Sequence, residues 1–293
     1  MEITCLPPAT DSVGQHAMDR RNDGMSAHVL RIYTLGRFSL ARDGAPLLFP
    51  RKSPARPLQL LKALIASGGR QVAAAGLAGM LWPDVEGDQA LRSFDTTLHR
   101  LRRFLGDDRL LRLADGRLTL NADRVWVDVW ECERRLGRLR GLLAHHADAG
   151  SIDEIAACGE RIMQLYRGHF LAREQSTCWS VSLEERLRSR FTHAMLSLGS
   201  FWESRGMLGR AEHCYRRGIE IDDLIETFYR RLMVCLAARG RHTEAIACYR
   251  QCRHILGVVL GIQPAIQTRD IYQSIVTQHT SPTARTLPQA CDS

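Results

Sequence analysis

Asp88-Gln-Ala-Leu-Arg-Ser-Phe-Asp-Thr-Thr-Leu-His-Arg-Leu-Arg-Arg-Phe-Leu-Gly106 decides how this chain is read. Its apolar residues Leu91, Phe94, Leu98, Leu101 and Leu105 alternate at spacings of three and four, the stripe of an amphipathic α-helix. At about 100° per residue, the opposite side carries Gln89, Arg92, Thr96, His99, Arg100 and Arg103, with no carboxylate among them. Such a helix, anchored on one side and presenting arginines, an amide and a hydroxyl on the other, suits the DNA major groove. There arginine forks onto guanine and glutamine onto adenine, while basic residues at the rim meet phosphates. Standing alone, the same helix reads as an ordinary surface element with solvated charges. Its neighbours tip the balance.

Upstream, residues 1–27 lack periodicity and read as a disordered tail. Order is expected from about Val29. Leu30, Ile32 and Leu35, then Phe38 and Leu40, alternate as strands do. Asp43-Gly44 is a hairpin turn, and Leu47-Leu48-Phe49 is the candidate return strand. Ser53-Pro54 then signals a helix start, with a serine cap and proline at the first helical position. That helix runs through Leu58, Leu61, Leu64 and Ile65 to the stop at Gly68-Gly69. A second short helix spans about Ala74 to Leu81, and the arginine-faced helix is the third. Leu110–Leu113, the turn Asp115-Gly116 and Arg117–Leu120 read as a β-hairpin with a basic residue at its tip.

A small sheet, three helices and a terminal hairpin is the order of a winged helix, whose third helix enters the major groove. We therefore expect residues 28–125 to form an α+β winged-helix domain with small antiparallel sheets. Its base-reading candidates are Gln89, Arg92, Thr96, His99, Arg100 and Arg103. Arg51, Lys52, Arg102 and Arg117 are the candidates for phosphates or the minor groove.

Charge distribution agrees with this division. Residues 28–125 hold 16 Lys+Arg against 9 Asp+Glu, so +7 of the chain's net +8 falls there. Residues 126–293 hold 22 against 19, or +3, and residues 1–27 hold 2 against 4, or −2. Concentrated positive charge favours polyanions through counterion release without specifying which. The nine cysteines include no C-x-x-C pair, and Cys248 and Cys252 read as thiols packed in a helix rather than a metal or redox pair. The first residues, Met-Glu-Ile-Thr-Cys-Leu-Pro-Pro, do not resemble a signal peptide, and no apolar run approaches the roughly 20 residues that span a bilayer. A cytoplasmic protein is expected.

From Trp126 onward the chain reads as helix after helix, an all-α tetratricopeptide-like domain expected over 126–278. Gly206, Ala211 and Tyr215 recur as Gly240, Ala245 and Tyr249, each 34 residues later, the tetratricopeptide period. The alanines let paired helices approach, the glycines turn the chain, and the tyrosines fill the groove against the next unit. Segments 130–146, 152–166, 180–197 and 265–276 complete the expected stack, which offers a concave face to a partner peptide or a second copy. The residues from His279 read as a disordered tail.

Together these phrases resemble the bacterial transcriptional activator domain family, whose stand-alone members include the antibiotic regulatory proteins. The resemblance rests on Leu35-Gly36-Arg-Phe-Ser-Leu40, Leu81-Trp-Pro-Asp84, Asp95–Gly106, Trp126-Val-Asp-Val-Trp130, Leu165-Tyr-Arg-Gly-His-Phe-Leu171 and Tyr229-Arg-Arg-Leu-Met233. It implies a response-regulator-type winged helix that binds promoter DNA, often at direct repeats, as a dimer or higher oligomer. It also implies recruitment of RNA polymerase, with the loop around Pro83–Gly87 matching the segment that touches polymerase. Asp223 departs from the repeat pattern, which usually has proline there, and implies a looser turn. No nucleotide-binding, zinc-protease or serine-hydrolase motif is present, so neither an enzyme nor a cofactor is expected. His145-His146 near Asp148 reads as a helix end rather than a metal site. The alternative to a DNA-binding regulator is a protein-interaction adaptor, in which the helical repeats capture a partner and the winged helix is a docking module.

Overall fold

In the computed structural model, residues 28–47, 55–145, 150–172, 174 and 177–280 are described. The alternation read from Leu30 onward closes as a hairpin. Strand β1 (Leu30–Tyr33) pairs antiparallel with β2 (Ser39–Arg42), Leu30 opposite Arg42. Asp43 and Gly44 both take positive φ, 47° and 81°, the two left-handed residues of a tight turn into β3 (Ala45–Pro46). Leu48 and Phe49 of the expected return strand, and the Ser53-Pro54 helix signal, lie outside the described residues.

Helix α1 (Ala55–Ala66) buries Leu58, Leu60, Leu61, Leu64 and Ile65. It stops at Gly68-Gly69, both left-handed. A Cβ on Gly69 would fall 2.2 Å from the Trp130 ring, so both backbone conformation and space demand glycine there. Strand β4 (Val72–Ala73), α2 (Ala74–Leu81), α3 (Gly87–Leu105), β5 (Leu111–Ala114) and β6 (Arg117–Leu120) follow. The hairpin turns at Asp115-Gly116 (φ 51° and 66°), and β4 adds a third strand, giving the order β4-β6-β5. Two residues long, β4 left no alternation to read in the sequence.

One strand runs where helices were expected to begin. Strand β7 (Val125–Val127) pairs parallel to β1, and the first sheet has the order β3-β2-β1-β7. That sheet is therefore mixed rather than wholly antiparallel. A three-residue Val-Trp-Val run is too short for period two to show against a helical pattern. The helical part starts at Asp128, with α4 (Asp128–Ala144), α5 (Gly150–Leu165), α6 (Cys178–Ser204), α7 (Leu208–Ile221), α8 (Glu226–Ala238), α9 (His242–Val259) and α10 (Ile266–Thr280). The expected segment 180–197 and the first repeat's opening helix are one continuous helix, α6. Helix α10 runs one residue past His279, where a disordered tail was expected to begin; residues 1–27 and 281–293 lie outside the described residues.

The repeat logic holds at each position. Gly206 and Gly240 turn the chain with φ of 71° and 74°. Ala211 and Ala245 are fully buried. Tyr215 is buried against Gly199 of its own unit, its ring centroid 6.4 Å from that of Phe228 of the next, and Tyr249 stacks on Tyr272 with ring centroids 4.0 Å apart. The turn after α7 is not loose: Asp222, buried one residue before Asp223, accepts a hydrogen bond from the Leu224 N–H at 3.2 Å and pairs with Arg188. A carboxylate fixes the turn where proline would otherwise stiffen it. Cys248 and Cys252 are buried free thiols, and burial pushes both up to about 12.

Gly218, like Gly199, sits at a very close helix approach: a Cβ there would meet the Phe228 ring at 2.3 Å. Gly218→Ala should cost about 1–3 kcal/mol through overpacking. Gly257→Ala, whose Cβ meets nothing within 4 Å, should be neutral or slightly stabilising because alanine favours the helix. Urea denaturation of the two variants tests this pair, and equal midpoints would contradict it.

Asp128 joins the two parts. This buried carboxylate, the first residue of α4, accepts hydrogen bonds from the Thr34 N–H (2.8 Å), the Thr34 hydroxyl (2.7 Å), the Leu35 N–H (2.9 Å) and its neighbour Val129 (2.7 Å). Burial pushes the Asp128 carboxyl up to about 6 even against those bonds. Beside it, Leu35 bridges Phe170, Gly36 donates to the His169 carbonyl and Leu171 donates to that of Thr34. The Lys62 ammonium, held 4.2 Å from the Phe38 ring centroid, pairs with Glu174 at 2.5 Å, and Trp130 donates to the Ile65 carbonyl. Winged helix and repeats thus share one hydrophobic core.

Candidate nucleic-acid interface

Helix α3 is held by its apolar stripe and closed by Gly106, a left-handed cap whose N–H returns to the Arg102 carbonyl. The buried stripe is Ala90, Phe94, Thr97, Leu98, Leu101 and Leu105. Leu91, expected in it, is 36% exposed, since it lies about 60° from Phe94 on the helix wheel and the stripe swings toward Ala90 and Thr97 instead. Small and polar side chains carry no hydrophobic signal, so those two were missed.

Gln89, Arg92, Thr96, His99, Arg100 and Arg103 are all exposed on one face of α3. Among the described residues, no ion pair engages Arg92, Arg100 or Arg103. The Thr96 hydroxyl returns to the Arg92 carbonyl at 3.0 Å. Asp88 and Asp95, both exposed, border the face about 70–90° from its centre. Asp88 sits in the first turn, where a carboxylate also favours the helix dipole.

The four flanking cations fare differently. Arg51 and Lys52 lie outside the described residues. Arg117 is exposed just past the hairpin tip, and its guanidinium donates to the Gln71 carbonyl at 3.1 Å. Arg102 is half-buried and donates to the Leu111 carbonyl at 3.1 Å, clamping α3 to the wing. Its sequence expectation as a phosphate contact overlooked this bond, which no sequence pattern announces. The N–H of Ala74, first residue of α2, meets the Gly116 carbonyl at 2.8 Å, so wing tip and helix-turn-helix are in contact. Near the base of the wing, the guanidinium of Arg109 holds the Asp107 carboxyl down to about 2.

No helix among the described residues is long and apolar enough to cross a membrane. Among them, no group of three or more His, Cys, Asp and Glu is placed to hold a metal ion.

The bacterial transcriptional activator domain matches this sequence over residues 127–276, half of the chain. The chain belongs to that family. Among relatives of this activator-domain chain, it is 26% identical over 260 residues to the regulatory protein AfsR of Streptomyces griseus, covering 86% of this chain and 25% of that protein. AfsR of Streptomyces coelicolor is also 26% identical, over 285 residues, covering 90% and 26% respectively. The chain thus spans about a quarter of the length of these relatives. Of solved structures, Mycobacterium tuberculosis EmbR in complex with a low affinity phosphopeptide superposes with a TM-score of 0.59 at 19% identity, covering 85% of this chain and 65% of that one. Small sheets with helices, followed by an all-helical repeat domain, are therefore a fold this activator-domain chain shares with EmbR.

Proposed function

We propose that this chain is a sequence-specific DNA-binding transcriptional regulator that activates promoters by docking α3 in the major groove. One observation carries the reading: an outward helix face with three arginines, a glutamine, a histidine and a threonine, its arginines engaged in no ion pair among the described residues. Gln89, Arg92, Thr96, His99, Arg100 and Arg103 read base edges, with Arg100 and Arg103 as the guanine-directed forks. Arg51, Lys52 and Arg117 meet phosphates or the minor groove, and Arg102 adds its charge from the ridge between helix and wing. The loop Pro83–Gly87, beside the start of α3, touches RNA polymerase. Two or more subunits bind adjacent promoter repeats, and the helical repeats hold a second copy or a partner. The protein acts in the cytoplasm, without a cofactor and without catalysis.

A salt titration tests the core of this proposal. Affinity for duplex DNA selected from genomic fragments should fall linearly on a log–log plot with a slope of about −0.9 per phosphate contacted. Four to six contacts give a slope of about −4 to −5. Negligible duplex binding alongside tight capture of a protein partner would instead establish the adaptor reading.

A further inference from the structure

The wing carries a second cationic surface that the sequence did not single out. In the β5–β6 ladder Arg112 stands opposite Thr119, and Ala114 opposite Arg117. Side chains alternate across a strand, so these four share one face, while Leu111, Leu118 and Leu120 are buried beneath the other. Arg70, in the turn before β4, borders that outer face, and the Gln71 N–H beside it is anchored to the Thr119 hydroxyl at 3.0 Å. Arg70 and Arg112 are exposed, and among the described residues neither side chain makes a hydrogen bond or an ion pair.

Arg70, Arg112 and Thr119 line an open concavity of about 730 Å³ whose charged side chains are Arg70, Arg102, Arg109, Arg112, Asp108 and Asp123. A second concavity, about 680 Å³, is walled by His99, Arg102, Arg103, Gly106 and Asp108. Arg102 and Asp108 belong to both. The half-buried Arg102, clamped to the Leu111 carbonyl, is therefore the ridge between the α3 face and the outer wing face. The two hollows form one cationic track turning from helix to sheet.

We infer that Arg70 and Arg112 hold the sugar–phosphate backbone of the duplex where it leaves the major groove, so that the outer wing face, and not only the hairpin tip, grips DNA. This rests on the DNA-binding reading above. Arginines on a flat strand face, with no base-sized insertion between them, contact a polyanion through charge and carry no sequence information. Positive charge held out of ion pairs around an open hollow gives up least on meeting phosphate. An acidic protein partner could exploit the same charge. The continuity with the α3 face favours the backbone of the same duplex.

The test is a salt titration of the full chain with two duplexes, one carrying the selected site and one of unrelated sequence. Arg70→Ala and Arg112→Ala should each weaken binding to both duplexes by about the same factor, severalfold at 0.1 M salt. Each should reduce the log–log slope by about 0.9 and leave base preference unchanged. Arg112→Lys, which keeps the charge and loses the fork, should retain the wild-type slope. If both alanine variants keep wild-type affinity and slope while the wild type binds steeply, the inference fails. It fails also if either variant alters base preference. A wild type that binds no duplex at all would overturn the functional reading beneath it.

Discussion

Arg100→Ala combined with Arg103→Ala should abolish selective binding while leaving the fold intact. Each side chain is exposed, and no ion pair among the described residues depends on either, so stability should change by no more than about 0.5 kcal/mol. A bidentate arginine–guanine contact is worth about 1–3 kcal/mol of discrimination. Losing two should therefore weaken the cognate complex by about two orders of magnitude or more. Binding to unrelated DNA should fall much less, because that term depends on total charge. Fluorescence anisotropy with the cognate duplex and a set of single-base variants reads both quantities. Unchanged affinity and base preference in the double variant would remove α3 as the reading element.

Asp128→Ala should produce the largest loss of stability of any single substitution considered. The change strands the amide N–H groups of Thr34 and Leu35, both turned toward the vanished carboxylate, and leaves a cavity at the sheet–helix junction. A buried donor without an acceptor costs about 1–3 kcal/mol, so two of them give about 3 kcal/mol or more. For a chain of this size that lowers the melting temperature by about 5 °C or more. Asp128→Asn keeps one carbonyl acceptor but turns an amide N–H₂ toward donors, and should fall between wild type and alanine. Calorimetry ranks the three, and an alanine variant as stable as wild type would deny Asp128 its joining role.

Long periodic segments disclosed themselves in the sequence. The α3 stripe, the glycine-stopped α1 and the 34-residue repeat were legible because each repeats a pattern over ten residues or more. Strands β4 and β7 were not, being two and three residues long. The junction was illegible for a different reason. Thr34 and Asp128 are 94 residues apart, and no local pattern links a strand-end threonine to a helix-start aspartate. Of the candidate site, the outward face of α3 was readable from helical phase alone. The bond from Arg102 to the wing, and the exposure of Arg70 and Arg112 on one track, follow only from the hairpin register and the packing of the wing on the helix.

The Asp128 junction also sets what evolution or a protein engineer can exchange between relatives. A graft cut cleanly after β7 would deliver a winged helix whose Thr34 and Leu35 amides depend on the recipient's carboxylate at the Asp128 position, and whose Lys62 loses Glu174. The transplantable cassette is discontinuous: residues 28–127 travel with Asp128 and with Phe170, Leu171 and Glu174. Chimeras that exchange the winged helix should keep their stability when those residues move with it, and lose stability when the recipient's residues at these positions do not match.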